Sequence, residues 1–396
     1  MADPTRVAAP IGDDDSKLMT LETGKYAGLA GGAVMAGLGN TRILVTATGA
    51  KHVREGIDFF PLTVDIEERM YAAGKIPGSF FRREGRAPES AILTCRLIDR
   101  PLRPSFPDGF RNEVHIVGTV MGADQQNPYD VLAINAASAA LMISDVPFDG
   151  PIGAVRMAYT QDGDWLPHPT YEESDDSTFE IVVAGRELDN GDVAVMMVEA
   201  GGTERSFEYY EDGAPKVDEA ALATALEECK RWIKDAIALQ RELVQAVGSK
   251  PTMDFDVQVD YTPAIYDEVT SLGGQRIGEI MHIADKAERS AAEDALRTEL
   301  LERIVPGVVE AAVEAGQPEE AAIALANKQV KSAFRSLSKA TVRTRIVKEG
   351  ARIDGRGLKD LRPLSAEVGV IPTAHGTGLF QRGETQVLNF CTLGMA

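Results

Sequence analysis

An internal repeat constrains this chain more than any other feature. At a constant offset of 344, Gly32, Gly39, Thr41, Leu44 and Thr48 recur as Gly376, Gly383, Thr385, Leu388 and Thr392, and Ile43 faces Val387. In each copy an apolar run reaches a turn glycine and a second β-prone run follows. That order predicts a hairpin in both places, built in the first from Ala33–Ala36 and Arg42–Thr48 around Leu38-Gly39-Asn40-Thr41. The chain therefore reads as two copies of one strand-rich domain with other material between them. The second copy stops at Gly394-Met395-Ala396, after a single hairpin. One hairpin cannot bury a core, so the expectation is a second domain begun and not completed within these residues.

The intervening material is helical in pattern. Leu222, Leu226, Cys229, Ile233 and Ile237 share one helix face, with Asp218 placed as N-cap. Further helices are expected over 262–270, 274–286, 288–303, 305–315 and 318–338, with Pro251, Pro263, Pro306 and Pro318 at or near their starts. Before this region, 127–144 reads as a buried Ala-rich helix, and Phe179–Val183 and Val193–Val198 read as strands. Strand character returns at 341–347 and 366–371. The expected organisation is a first strand-rich domain over 1–216, an all-helical domain over 217–338 and the start of the repeat over 339–396.

With 396 residues, two to three domains are expected. Sixty-one acidic side chains against 41 basic ones give a net charge of −20, which excludes a generally basic nucleic-acid coat protein. The charge is unevenly placed. Seven arginines against four acids make 82–111 net +3, and eleven cations against three acids make 328–362 net +8. An acidic body with two basic strips suits a polyanion admitted to one path. Three distant cysteines, Cys95, Cys229 and Cys391, support neither a zinc ribbon nor a disulfide framework and read as small buried hydrophobes. No apolar run approaches the ~20 residues of a membrane helix. Met1-Ala2-Asp3-Pro4, with Asp13-Asp14-Asp15 soon after, has no leader pattern, so a cytoplasmic protein without a membrane partner is expected.

The segment that carries chemistry is Gly78-Ser79-Phe80-Phe81-Arg82-Arg83-Glu84-Gly85-Arg86, followed by Arg96, Arg100 and Arg103. Two glycines make its first part a loop. Adjacent aromatics beside arginines supply what single-stranded nucleic acid needs, rings to stack on bases and guanidiniums to hold phosphates. Pro88 starts a helix that Pro101 ends. On it Ile92, Leu93 and Leu97 are expected to face the core, Arg96 and Arg100 to project from one side, and Asp99 to orient neighbouring arginines.

Phe80–Arg86 with Arg96-Leu97-Ile98-Asp99-Arg100-Pro101-Leu102-Arg103-Pro104 resembles the first core domain of the bacterial polynucleotide phosphorylase family. Gly376-Thr377-Gly378-Leu379-Phe380-Gln381-Arg382-Gly383-Glu384-Thr385-Gln386 resembles the opening of that family's second core, and Arg352-Ile353-Asp354-Gly355-Arg356 its lead-in. The resemblance implies an α+β fold: an RNase PH-like core (ribosomal protein S5 domain 2-like), an all-helical domain and an incomplete second RNase PH-like core. It implies a phosphorolytic 3′-to-5′ exoribonuclease of mRNA turnover, a homotrimer acting on single-stranded RNA and inorganic phosphate to release nucleoside diphosphates, and associated with RNA-degradation proteins. By the same resemblance Phe80, Phe81, Arg82, Arg83 and Arg86 flank an RNA entry pore, Arg96, Arg100 and Arg103 line the RNA path, and Arg382, with His375 and Gln381 near it, sits by the catalytic centre. Leu38 stands in the first copy where Arg382 stands in the second. Magnesium is implied, with its ligands and the phosphate-binding loop expected beyond Ala396, and no residue here is assigned to a metal. An RNA-binding ring scaffold without catalysis is the alternative. Guanosine pentaphosphate synthesis ranks lower, because no G-x-x-x-x-G-K-[ST] loop occurs.

Overall fold

The structure is a computed structural model that describes residues 4–12, 17–54, 57, 59–78 and 80–394. Met1–Asp3, the Asp13–Asp15 run, Ser79 of the loop and Met395-Ala396 thus lie outside the described residues. The chain divides into two units, one ending at Gln258 and one beginning at Val259.

The first unit contains two sheets. Strands β1 (Thr5–Pro10), β2 (Leu18–Thr23), β3 (Gly32–Leu38), β4 (Thr41–Gly49), β5 (Leu62–Glu68) and β6 (Val114–Gly122) form one, in the order β1-β2-β3-β4-β6-β5. All its pairings are antiparallel except β5 with β6. Strands β7 (Gly153–Tyr159), β8 (Trp165–Pro167), β9 (Phe179–Glu187) and β10 (Val193–Gly202) form the other, in the order β10-β9-β7-β8. Helix α1 (Glu89–Leu102) packs on β5, and α2 (Asp130–Met142) packs on β3, β4 and β7. Of two short helices, α3 (Tyr171–Asp175) lies between β8 and β9 and α4 (Ser206–Glu211) follows β10, and α5 (Glu219–Val247) runs against β1, β7 and β9.

Close approach explains the buried α2. A Cβ on Gly32 would stand 2.0 Å from the Ala140 carbonyl oxygen, so only glycine lets α2 lie on β3. The helix is then buried from Val131 to Leu141, and its polar residues are spent on β7 and the segment before it. Asn135 accepts from the Ala154 N–H and donates to the Ala154 carbonyl, and Ser138 accepts from the Ile152 N–H. Each buried polar group thereby keeps a partner.

The expected boundary at 217 is corrected by α5. Asp218 caps it as the sequence predicts, accepting from the Ala221 N–H at 2.9 Å. Its apolar face, however, closes the core of the first unit: Cys229, Trp232, Ile233 and Ile237 pack with Val155, Met157, Ile181 and Val183. An amphipathic period announces a buried face without saying what buries it.

The second unit holds α6 (Pro263–Ile280), α7 (Lys286–Glu314) and α8 (Glu319–Glu349), then strands β11 (Leu364–Val368), β12 (Gly376–Arg382) and β13 (Thr385–Cys391) in one antiparallel sheet. Three long helices replace the five shorter ones expected. Pro306 lies inside α7 instead of starting a helix. The β-branched run 341–347 ends α8 and is not a strand, since Val342 packs on the helical core beside Leu337. Of the cysteines, Cys229 is buried as expected, Cys95 is half-buried and Cys391 is exposed. Among the described residues no helix is long and apolar enough to cross a membrane.

Candidate functional site

The arginine–aromatic segment leaves the core where β5 ends. Phe80 is 94% exposed and Phe81 77%, with their rings edge-to-face at 5.4 Å. Burying a phenylalanine is worth ~1.5–3 kcal/mol, so two bare rings side by side mark a surface that awaits a partner. Arg82 holds the left-handed φ of 46°, a costly conformation for a side chain with a Cβ. Glu84 fixes the loop against this tendency to relax. Its carboxylate accepts from Arg69 at 2.8 Å and from the Met70 N–H at 2.7 Å, while Arg69 also pairs with Glu67. Those bonds hold the Glu84 carboxyl below its usual range, with Arg69 the main cause. Glu84 thus pins the middle of the loop, and Arg82, Arg83 and Arg86 have no ion-pair partner among the described residues.

Helix α1 is rotated from the orientation expected. Ala91, Thr94, Ile98 and Leu102 are buried, whereas Ile92 and Leu93 are exposed. The buried set has the i, i+3, i+7, i+11 spacing of a core face, and its small residues let the helix sit close on β5. Arg96 and Arg100 do project together, into a cleft of about 910 Å³ between α1 and strands β9 and β10. Arg96 has no partner among the described residues. Arg100 pairs with Glu199 and donates to the Val198 carbonyl at 3.0 Å. The Arg100 pair is exposed and so contributes less than about 1 kcal/mol, which lets a phosphate displace Glu199. Arg103 is different. It donates twice to Asp99, at 3.0 and 2.6 Å, and to the carbonyls of Phe60 and Leu62 at 3.0 and 3.1 Å. Four of its five N–H groups are thereby committed, so Arg103 fastens α1 to the start of β5 more than it faces a ligand. Asp99 orients it, as expected.

Sequence reasoning missed the floor of the cleft. Arg156 pairs with Glu180 at 2.8 Å and with Asp130. Burial works against its charge, but the two carboxylates outweigh burial and push its pKa up. The signal was present: Arg156 is the one charged residue in the strand Gly-Ala-Val-Arg-Met-Ala-Tyr, and a charge in so apolar a strand needs a buried partner.

The repeat's second hairpin carries the other predicted residues. Arg382 is exposed at the end of β12 and borders a cleft of about 440 Å³ with Lys286, Arg356 and Arg362. Arg289 donates to the carbonyls of Ile283, Ala284 and Ile353, which anchors the Arg352–Arg356 lead-in to α7. His375 does not join this cleft. It lies at the opposite end of β12, roughly 20 Å away at ~3.3 Å per residue. Its Nδ1 accepts from the Leu393 N–H at 2.9 Å, so in the neutral ring Nε2 carries the proton. Gln381 spends its amide within the hairpin, donating to the Gly383 carbonyl at 2.7 Å and accepting from Gln386 at 2.9 Å. Gln381 adjoins Arg382 at the end of β12, as expected, whereas the expected nearness of His375 is corrected: a strand of seven residues separates it from Arg382. Among the described residues no three His, Cys, Asp or Glu converge on a metal position, so the residues present do not compose a magnesium site.

Comparison with known proteins identifies the architecture. Residues 15–147 match the 3′ exoribonuclease family, domain 1. Residues 264–357, which contain most of α6 and all of α7 and α8, match the polyribonucleotide nucleotidyltransferase RNA binding domain. The chain is 49% identical over 380 residues to the polyribonucleotide nucleotidyltransferase of Salinispora tropica, covering 96% of this chain and 46% of that protein. It is 47% identical over 400 residues to that of a Nocardioides species, covering all of this chain and 52% of that protein. The chain belongs to the polyribonucleotide nucleotidyltransferase family. It spans about half the length of the curated relatives it matches. Among solved structures, rice Rrp46 is a distant likeness, with TM-score 0.41 and 13% identity over 61% of this chain and 94% of that one. As in the family, the first unit holds an RNase PH-like domain, and the second holds the helical domain.

Proposed function

We propose that this chain is the RNA-guiding portion of a phosphorolytic 3′-to-5′ exoribonuclease. The observation that carries this reading is the loop of Phe80, Phe81, Arg82, Arg83 and Arg86, exposed, cation-rich and pinned by Glu84 on an acidic chain. In the reaction an oxygen of inorganic phosphate attacks the terminal phosphodiester of RNA. The bond from that phosphorus to the 3′ oxygen of the preceding nucleotide breaks, a nucleoside diphosphate leaves, and the shortened strand keeps a 3′ hydroxyl. The reverse reaction lengthens RNA from diphosphates. Phosphate is already a nucleophile, so the work of the protein is positioning and charge neutralisation.

In this reading Phe80 and Phe81 stack on bases at the mouth of a homotrimeric ring, and Arg82, Arg83 and Arg86 hold the phosphates entering it. Arg96 and Arg100 take the strand onward, and Arg103 holds α1 in place. Arg382 faces the reacting end. A magnesium ion, which the family implies and for which the described residues compose no site, would supply charge neutralisation at the phosphates if bound, and the compartment in this reading is the cytoplasm. The loop geometry favours RNA over a nucleotide pocket, because its rings and guanidiniums line an open surface.

The test is incubation of the 396-residue chain with labelled poly(A) and inorganic phosphate. Anisotropy reads binding and chromatography reads ADP. RNA bound but not shortened assigns this chain the holding role, the scaffold reading for the chain alone. Phosphate-dependent ADP places catalysis within it. Absence of binding overturns the proposal.

A further inference from the structure

Near the turn that joins α7 to α8 the two helices leave an open groove of about 640 Å³. Val305, Val309 and Val313 line it from α7 at steps of four residues, a stripe about 12 Å long. Ile323 lines it from α8. Val313 and Ile323 are each 42% exposed, so the hairpin does not close over its own stripe. Pro306 is exposed in the same lining although it stands inside α7, where its missing N–H leaves the Glu302 carbonyl without a helical donor.

The rim of the groove is acidic. Glu310 and Glu314 stand one turn apart on α7, and Glu319 opens α8. All three are exposed, and none has an ion-pair partner among the described residues. Glu320 adds a fourth acid, and no Lys, Arg or His occurs between Arg303 and Lys328. Like charges four residues apart weaken a helix, so the helix ends gain nothing from this arrangement. RNA does not suit the groove. It lies within the stretch matched to an RNA binding domain, yet no cation lines it and its carboxylates repel phosphates. A second copy could offer Lys328, Lys331, Arg335 and Lys339 of its own α8. That face, however, carries Ser332 and Ser336 between the charges and no large apolar side chain to fill the groove. The complement of an apolar stripe rimmed by carboxylates is a helix with large aliphatic side chains on one face and lysine or arginine at its flanks.

We propose that the α7–α8 groove docks a basic amphipathic helix of another protein, its apolar face on Val309, Val313 and Ile323 and its cations against Glu310, Glu314 and Glu319. The inference stands apart from the RNA reading and adds a protein-recognition surface to the chain. About two turns of partner helix match the stripe, so the contact is small and of the transient kind.

The probe is a fluorescein-labelled peptide of about 18 residues, roughly 27 Å long as a helix, with Leu on one helical face and Lys elsewhere. Anisotropy compares its binding to the full chain with that of a peptide of the same composition scrambled to lose the apolar face. The patterned peptide should bind roughly ten-fold tighter or more. Val313→Ala plus Ile323→Ala should remove most of that advantage, with all charges unchanged. Glu310→Gln, Glu314→Gln and Glu319→Gln together should weaken binding roughly ten-fold at low salt and flatten its salt dependence. Glu211→Gln, Glu228→Gln and Glu242→Gln, the same exchange at exposed acids of the first unit, should leave binding intact. Equal weakening by the two charge variants assigns binding to the surplus negative charge of the chain and overturns the groove. Equal binding of the two peptides overturns it as well. Self-association of the chain in sedimentation, lost in the Val313–Ile323 variant, gives the groove to a second copy and overturns the foreign partner.

Discussion

The hairpins β3–β4 and β12–β13 share a register rung for rung and differ in almost everything around it. Leu38 opposes Thr41 and Arg382 opposes Thr385; Met35 opposes Leu44 and Leu379 opposes Leu388; Gly32 opposes Ala47 and Gly376 opposes Cys391. Both turns use a left-handed glycine, Gly39 at φ 55° and Gly383 at φ 61°. Yet Val34, Ala36, Ile43 and Val45 are wholly buried, while Phe380, Val387, Leu388 and Phe390 are exposed. In the first hairpin α2 presses against Gly32 and Asp124 ties down the turn. At Gly376 the nearest neighbour of an added Cβ is Cys391 of its own hairpin, 3.4 Å away. Pairing is thus written in the local sequence, through turn and alternation. Burial is conferred by elements far away in the chain.

Paired substitutions can break or sharpen this comparison, with hydrogen exchange of each hairpin as the readout, because the two units need not unfold together. The largest contrast should come from exchanging the non-matching position. Leu38→Arg buries a charge without a partner and should cost about 4 kcal/mol or more, whereas Arg382→Leu should stay within about 0.5 kcal/mol. Comparable losses would mean that the second hairpin is as enclosed as the first. Next come the aligned Ile43 and Val387. Ile43→Ala should cost ~2–5 kcal/mol and Val387→Ala less than about 1 kcal/mol.

Smaller effects should arise at the turn. Asp124 accepts from the N–H groups of Asn40, Thr41, Gln126 and Asn127, from the Thr41 hydroxyl and from the Asn127 amide. Burial would raise its pKa, but these donors outweigh burial and hold the carboxyl far below the usual carboxylate range. A depressed folded pKa gives stability that is present above the unfolded value near 3.9 and fades as pH falls below it. Protection of β3–β4 should therefore drop below about pH 4. Asp124→Asn should cost ~1–3 kcal/mol at pH 7 and remove that pH dependence, with β12–β13 unaffected. A residual acid transition in the variant would point to another carboxylate. Smallest is Gly383→Ala, which should cost ~1–2 kcal/mol through its left-handed φ. Gly39→Ala should exceed it, because the added Cβ would also meet Asn127 and Asp124 at 2.4 and 2.8 Å.

What was legible in the sequence was what neighbouring residues decide together. The hairpins, the cap at Asp218, the buried helix expected over 127–144 and the looped arginine–aromatic segment all follow from spacing and turn chemistry within about twenty residues. What was not legible depended on partners distant in sequence. The pattern of α5 could not say that it faces Val155 and Met157 rather than other helices. Leu97 packs on the core as expected, but Ile92 and Leu93 outweighed the small Ala91 and Thr94 in a reading by hydrophobicity, and the tight contact with β5 selected the small residues. Arg103 and Gln381 have the chemistry of ligand-binding groups, and only coordinates reveal that their hydrogen bonds are already used. His375 and Arg382 are close in number, yet an extended strand keeps them apart.

Glu84 has one more consequence. A free loop of the nine residues from Gly78 to Arg86 would lose ~1–2 kcal/mol per residue in backbone freedom as it closed on a ligand. Because Arg69 and the Met70 N–H hold its midpoint, much of that ordering is complete before any ligand arrives. The rings and guanidiniums are presented as a surface already in shape, so in the proposed role an RNA strand would meet few new constraints there and be both taken up and released quickly.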